Sequence, residues 1–311
     1  MVDIQLIKSS QKKIYQLYKL IDKEDKNLGK KIIKIRYRKK FLKEIFPLVL
    51  KILNILKNLY KFSDKKIAKS YVAFCRETLM EQFYFKKNPT YRAIKENINN
   101  LNFYSSKEKM RAYLIGLLLT QIFWVHHIKI LNWYFNNLPK KNKLKNYLEI
   151  GAGHGLLSAL LQKQKNVDGA IIDVSQSAIN GLRKVFNKIR VNKKITFKKI
   201  NFLKFKDEKK FDFIIMGEVI EHVKNPVQFL RKSKNLLSNT GSIFLTTCAN
   251  CAQHDHLFHF KDVKHIKKII KKAGLTVSKE YVVPSENIPK NKWKMEKIAI
   301  SYCAVVKNAK R

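Results

Sequence analysis

Tyr147-Leu148-Glu149-Ile150-Gly151-Ala152-Gly153-His154-Gly155 is a short apolar run carrying one acid, then three glycines at alternate positions, with an apolar helical pattern at Leu156–Leu161 starting at once. The order reads as strand, tight turn, helix. Glycines at 151, 153 and 155 can adopt positive φ and let a ligand approach the backbone, and the new helix offers unpaired N–H groups. The turn therefore suits a nucleotide-like ligand. The dinucleotide fingerprint G-x-G-x-x-G does not fit, because residue 156 is Leu. The spacing is acid-x-G-x-G-x-G.

Downstream of this turn the chain alternates. Strands are expected at Tyr147–Gly151, Gly169–Val174, Ile195–Asn201, Phe211–Met216, Ser242–Thr247, Leu275–Val283 and Ile298–Val306, and helices at Gly155–Gln164, Ser175–Ile189, Pro226–Leu237 and Lys261–Ala273. Seven strands with interposed helices predict an α/β fold, a doubly wound and mainly parallel sheet. No helix separates the last two strands, which therefore pair as an antiparallel edge.

Upstream, residues 1–140 read as an all-helical lobe, and residues 141–311 as the sheet domain. Ile4, Leu6, Ile7, Ile14, Leu17, Leu20 and Ile21 recur at helical spacing, and Phe41–Tyr60 and Ile67–Phe85 continue the pattern. Ala112–Val125 is strongly apolar but too short to span a bilayer, so a buried helix is expected and no transmembrane segment. His126 and His127 at its end are read chiefly as packing residues, with an active-site mouth as the lesser reading.

Four cysteines, Cys75, Cys248, Cys251 and Cys303, are too few for a disulfide framework, and Met1–Ser10 lacks an apolar signal core, so a reducing cytoplasm is expected. The formal net charge is +42. Nearly all of the positive charge is Lys, with nine Arg and no Arg cluster to grip phosphate bidentately. A solvated Lys-rich surface is the preferred reading, and a nucleic-acid partner the lesser one.

In its glycine turn the sequence resembles the class I S-adenosylmethionine-dependent methyltransferases, whose first motif has this form. The resemblance covers about residues 147–308 and implies S-adenosyl-L-methionine as cofactor. It places Glu149, Gly151, Ala152, Gly153 and Gly155 around the cofactor. Asp173 and Val174, at the end of the next strand, fall where a carboxylate accepts both ribose hydroxyl hydrogens. Asn201 stands where the family often carries Asp toward the adenine amino group, and Phe202 follows it as a stacking or core aromatic. The run Gly217-Glu218-Val219-Ile220-Glu221-His222 looks like the segment after strand four of the ubiquinone-biosynthesis-like small-molecule methyltransferases, which sets Gly217 and Glu218 at the cofactor's methionine end. It lacks the Asn-Pro-Pro-Tyr or Asp-Pro-Pro-Tyr form that resembles nucleobase amino methylation.

The loop Cys248–Phe260 holds the remaining chemistry. Two Cys with His close behind fit zinc poorly, since so few residues leave little chain to wrap a tetrahedron, and no metal is expected. The resemblance makes this loop part of a substrate pocket, with His254 and Asp255 as substrate contacts and His256, His222 and His259, in that order, as candidate bases. The leading expectation is methyl transfer to a small-molecule acceptor, oxygen ahead of nitrogen or carbon. RNA methylation and a non-catalytic cofactor-binding scaffold are the alternatives.

Overall fold

The computed structural model describes residues 2–3, 12–189 and 193–309. Positions Ile4, Leu6 and Ile7 of the expected first helix lie outside this range. Two short strands, β1 (Val2–Asp3) and β2 (Arg36–Tyr37), pair antiparallel. The lobe consists of α1 (Lys12–Glu24), α2 (Lys26–Ile33), α3 (Lys39–Glu44), α4 (Phe46–Tyr60), α5 (Asp64–Lys87), α6 (Arg92–Lys95), α7 (Asn100–Ser105), α8 (Lys107–Phe123) and α9 (Val125–Asn136).

One expected run is divided, and another ends in a sharp turn close to its expected end. Phe41–Tyr60 divides at Ile45 into α3 and α4, because Pro47 in the first turn of α4 lacks an N–H and its ring clashes with the preceding turn. The apolar run at Ala112–Val125 ends α8 at Trp124, whose extended backbone (φ −110°, ψ 120°) turns the chain into α9. The two helices meet at 81°. Among the described residues no single helix is long and apolar enough to cross a membrane.

The sheet follows the expected plan. Its strands are β3 (Asn146–Ile150), β4 (Asp168–Asp173), β5 (Ile195–Lys199), β6 (Phe211–Gly217), β7 (Leu237–Ala249), β8 (Leu275–Pro284) and β9 (Ile300–Asn308), in the spatial order β5-β4-β3-β6-β7-β9-β8. The pairs among β3, β4, β5, β6 and β7 are parallel. β9 inserts between β7 and β8, antiparallel to both. β7 begins at Leu237 rather than Ser242, because Leu237 pairs with Phe211 across a register shift.

Alternation along each strand divides the interior in two. Tyr147, Ile171, Phe213, Ile215 and Phe244 face α10 (Leu156–Lys165), α11 (Gln176–Ile189) and the lobe. Leu148, Ile150, Ile172, Ile214 and Leu245 face α12 (Pro226–Leu236) and α13 (Val263–Lys272). The first of these cores runs without a break from the lobe to the sheet, across residue 140. In α9, the Tyr134 ring packs at a tilt against Phe244, 4.5 Å between centroids, and its hydroxyl donates to the carbonyl of Leu157 at 3.0 Å. The absence of a side chain at Gly181 lets α4 close on α11, since a Cβ there would lie 3.0 Å from the Tyr60 hydroxyl. The lobe thereby roofs the carboxyl ends of β3, β4 and β6, where a doubly wound sheet binds ligands.

Candidate active site

β3 ends at Ile150, and Gly151, Gly153 and Gly155 follow at φ 67°, 53° and 75°, the left-handed region that disfavours a side chain. Two hydrogen bonds fasten the turn to β4. The N–H of Gly151 donates to the carbonyl of Ile172 (2.9 Å) and that of Gly153 to Asp173 Oδ2 (3.1 Å). Ser175 N–H donates to Asp173 Oδ1 at 2.8 Å. Asp173 is buried, which raises its pKa against the opposing effect of these N–H donors. Glu149 is buried too, and accepts from the N–H of Ser158, in the first turn of α10, at 3.1 Å. Burial pushes its carboxyl up to about 8, in spite of the hydrogen bonds from Ser158.

Asn201 caps a short 3-10 turn, its Oδ1 accepting from Leu203 N–H at 2.9 Å. Phe202 is buried with its ring 4.5 Å from that of Phe229. Glu218 has φ 53°, a strained conformation for a side chain, held by its N–H donating to the carbonyl (3.1 Å) and hydroxyl (3.0 Å) of Thr246. It is hydrogen-bonded to the buried Glu221, and burial raises both carboxyls above their ordinary values.

One cavity of about 1110 Å³ connects these elements. Of the predicted cofactor residues, Glu149, Gly151, Ala152, Gly153, Asp173, Val174, Asn201, Phe202, Gly217 and Glu218 line it. Gly155 does not; it sits behind the turn, where a Cβ would run into Leu182. From the lobe come Tyr104, Tyr113, His126 and His127, so both members of the histidine pair face the space. Ordinary ligand pockets measure about 300–1,000 Å³. This one has room for a nucleoside-sized cofactor beside an acceptor, and the Asp173 carboxylate keeps acceptor capacity beyond its two backbone bonds. The residues present therefore fit S-adenosylmethionine.

The predicted catalytic histidines separate. His222 lines the cavity, with Nδ1 at 3.1 Å from the Tyr104 hydroxyl, 3.1 Å from the Asp255 carbonyl and 3.4 Å from Asp255 Oδ2. Tyr104 donates its only proton to Asp255 Oδ2 at 3.0 Å, so the Tyr104 oxygen, the Asp255 carbonyl and Asp255 Oδ2 each face Nδ1 as acceptors. Nδ1 then carries the ring proton and Nε2 the lone pair. Asp255 is fully buried. Burial raises its pKa, but His222, His254 and His256 around it and the Tyr104 hydroxyl bring it down to about 2.

His256 also lines the cavity, its ring 4.8 Å from that of His222 and its Nδ1 2.7 Å from the Cys251 carbonyl. Burial and His222 lower it to about 3, which makes it a weak base. His259 lies outside the cavity lining. Its ring packs against Phe85 and Tyr91, and Nε2 is 2.9 Å from Asn250 Oδ1. His254 and Asp255 do not line the cavity either: His254 Nδ1 pairs with Glu77 Oε1 at 3.2 Å, and Asp255 stands behind His222.

Tyr104 was not singled out from the sequence. It lies 118 residues before His222 and 151 before Asp255, in a helix with no motif to connect it to either. His154, inside the glycine turn, lines the cavity and accepts from Leu156 N–H through Nδ1 at 3.3 Å; its place between two glycines was the available signal.

Residues 128–280 match the family described as "Methyltransferase domain". The chain is 30% identical over 141 residues to the ubiquinone biosynthesis O-methyltransferase of Pelagibacter ubique (strain HTCC1062), a match covering 45% of this chain and 57% of that protein. To the protein of the same name from Glaesserella parasuis serovar 5 (strain SH0165) it is 28% identical over 195 residues, covering 53% and 79%. The chain thus spans little more than half the length of the first of these relatives. Among solved structures, the mitomycin 7-O-methyltransferase MmcR superposes with a TM-score of 0.53 at 9% identity over 79% of this chain and 70% of that one. An O-methyltransferase family protein from Burkholderia thailandensis gives 0.50 at 12% identity, over 80% and 74%. These two likenesses concern the fold. Sheet order, glycine turn and sequence match agree, and residues 128–280 are a methyltransferase domain of the class I S-adenosylmethionine-dependent type.

Proposed function

We propose that the chain transfers the methyl group of S-adenosylmethionine to a hydroxyl oxygen of a small-molecule acceptor, in a reducing compartment suited to its four cysteines, none of them in a disulfide. The observation that carries this reading is the Asp255–His222 pair at the cavity wall, a base with a buried carboxylate behind it. The relatives' names as O-methyltransferases support an oxygen acceptor. An acceptor has to enter beneath the helical lobe, which favours a small molecule over RNA.

When bound, the cofactor supplies an electrophilic methyl group on a sulfonium. Asp173 would hold the ribose hydroxyls, and the glycine turn would let the cofactor approach the backbone. Asn201 and Phe202 would border the adenine side, and Gly217 and Glu218 the methionine side. His222 Nε2 takes the acceptor's hydroxyl proton, and Asp255 stabilises the imidazolium that forms. Such a base contributes about 10²–10⁴-fold; holding the reactants in line supplies most of the rest. This ordering puts His222 ahead of His256 and sets His259 aside as a packing residue.

The test is incubation with methyl-labelled cofactor and fractionated extract of the source cell, with mass identification of the labelled product. A methylated hydroxyl on a small molecule is expected. Label found in RNA, with binding that weakens steeply as salt rises, overturns the proposal.

A further inference from the structure

We propose that Cys248, Cys251 and His256 form a binding site for a soft divalent cation of the Zn²⁺ type, with the remaining coordination position open to the acceptor end of the cavity. One ligand atom from each of the three lies within 4.8 Å of the others, and all three residues line the cavity. Tetrahedral coordination, at about 2.3 Å to sulfur and 2.0–2.1 Å to nitrogen, is reached from there by small side-chain movements.

The spacing of the loop leaves too little chain to wrap a tetrahedron of four ligands from the loop alone. The structure needs three and turns His254 away toward Glu77. β7 ends at Ala249, and Asn250, at φ 51°, reverses the chain between the two cysteines. Gln82 of α5 clamps that reversal, donating from Nε2 to the Asn250 carbonyl and accepting through Oε1 from Ala252 N–H, each at 3.0 Å. Leu257 and Phe258 N–H both donate to the Glu221 carbonyl, at 2.8 and 2.9 Å, which fixes the far side of the loop. His256 is oriented as metal-binding histidines are: its Nδ1 donates to the Cys251 carbonyl at 2.7 Å, leaving Nε2 as the ligand nitrogen.

Charge favours this ion. Binding releases two thiol protons, and two thiolates neutralise a dication in a site where Cys248 and His256 are buried. Three protein ligands with one open position is the pattern of catalytic rather than structural zinc. At that position the cation would polarise an acceptor hydroxyl and ease loss of its proton. That last step rests on the proposed methyl transfer to oxygen; cation binding does not.

The full chain, purified without chelator, is expected to retain about one equivalent of zinc. Cobalt replacing it should give thiolate-to-metal charge-transfer absorption and the intense d–d bands of tetrahedral Co²⁺. Cys248→Ser and Cys251→Ser should each weaken Zn²⁺ binding by more than the roughly 10–100-fold that loss of an outer-sphere partner costs. In the unmutated protein, Zn²⁺ should protect the half-buried Cys251 from alkylation, a readout that does not depend on how the variants fold. Absent protection, a cobalt spectrum without thiolate bands, or Zn²⁺ affinity unchanged in both variants overturns the site. Calorimetry of S-adenosylmethionine on the same samples reports separately on the methyl-transfer reading.

Discussion

Glu149→Gln should stabilise the protein, and by an amount that grows with pH. Burial lifts the Glu149 carboxyl from 4.5 to about 8. Between those values the folded state keeps a proton that the unfolded chain releases, so the wild type loses stability as pH rises. Each pKa unit corresponds to about 1.36 kcal/mol. At pH 7 the interval above 4.5 makes the penalty about 3 kcal/mol, at pH 4 close to zero, and above pH 8 it levels off near 5 kcal/mol. Gln has nearly the same shape. Its Oε1 can still accept from Ser158 N–H, and its amide nitrogen can donate to the Ser158 hydroxyl that approaches Glu149. Urea unfolding of parent and variant, followed by tryptophan fluorescence at about pH 4, 5.5, 7 and 8, reads the difference directly. The other raised carboxyls, Asp173, Glu218 and Glu221, remain in both proteins and largely cancel. A difference that stays constant from pH 4 to pH 8, or that favours Glu at pH 7, refutes the reasoning.

Asp173→Ala removes the carboxylate assigned to the ribose hydroxyls. With charged hydrogen bonds worth about 1.5–3 kcal/mol each, S-adenosylmethionine affinity should fall about 100-fold or more by calorimetry. Gly153→Val should do the same by forcing a β-branched side chain to φ 53°, at a stability cost of about 1–2 kcal/mol; undiminished affinity in both variants would sink the cofactor assignment. Tyr104→Phe leaves the cofactor residues intact but removes the hydroxyl between Asp255 and His222, so kcat should drop about 10-fold or more with cofactor affinity unchanged; an unaltered kcat removes Tyr104 from the site. Asp25 caps α2 through Asn27 and Leu28 N–H and pairs with the exposed Arg76, and its pKa is lowered chiefly by the Leu28 bond. Its contribution is present above the unfolded value near 3.9 and is lost as pH falls through the folded one. Asp25→Ala should therefore cost about 1 kcal/mol at pH 7 and nothing in strong acid, measured by unfolding at both.

The cofactor half of this molecule was legible because its signals are local. Tyr147–Gly155 contains strand, turn and the start of a helix within nine consecutive residues, and the buried strands read as unbroken apolar runs because both faces are covered. Asp173 follows at the end of the neighbouring strand, where parallel pairing fixes its position relative to Ile150. The acceptor half was legible only as a list of residue types. His254, His256 and His259 stand within six positions, yet one turns to Glu77, one to the cavity and one into Phe85 and Tyr91. Their directions follow from the left-handed turn at Asn250 and from Gln82, which reaches the loop from a helix 168 residues earlier in the chain. Tyr104 is likewise supplied by the lobe to a pair formed by two different loops of the sheet domain. No periodicity records such meetings, since each depends on how α5 and α7 dock over the sheet. The lobe therefore does more than roof the cavity: through Gln82 it holds the loop that carries His256, and through Tyr104 it touches the His222–Asp255 pair. Changes in α5 and α7 should therefore alter acceptor choice while leaving the glycine turn and Asp173 in place.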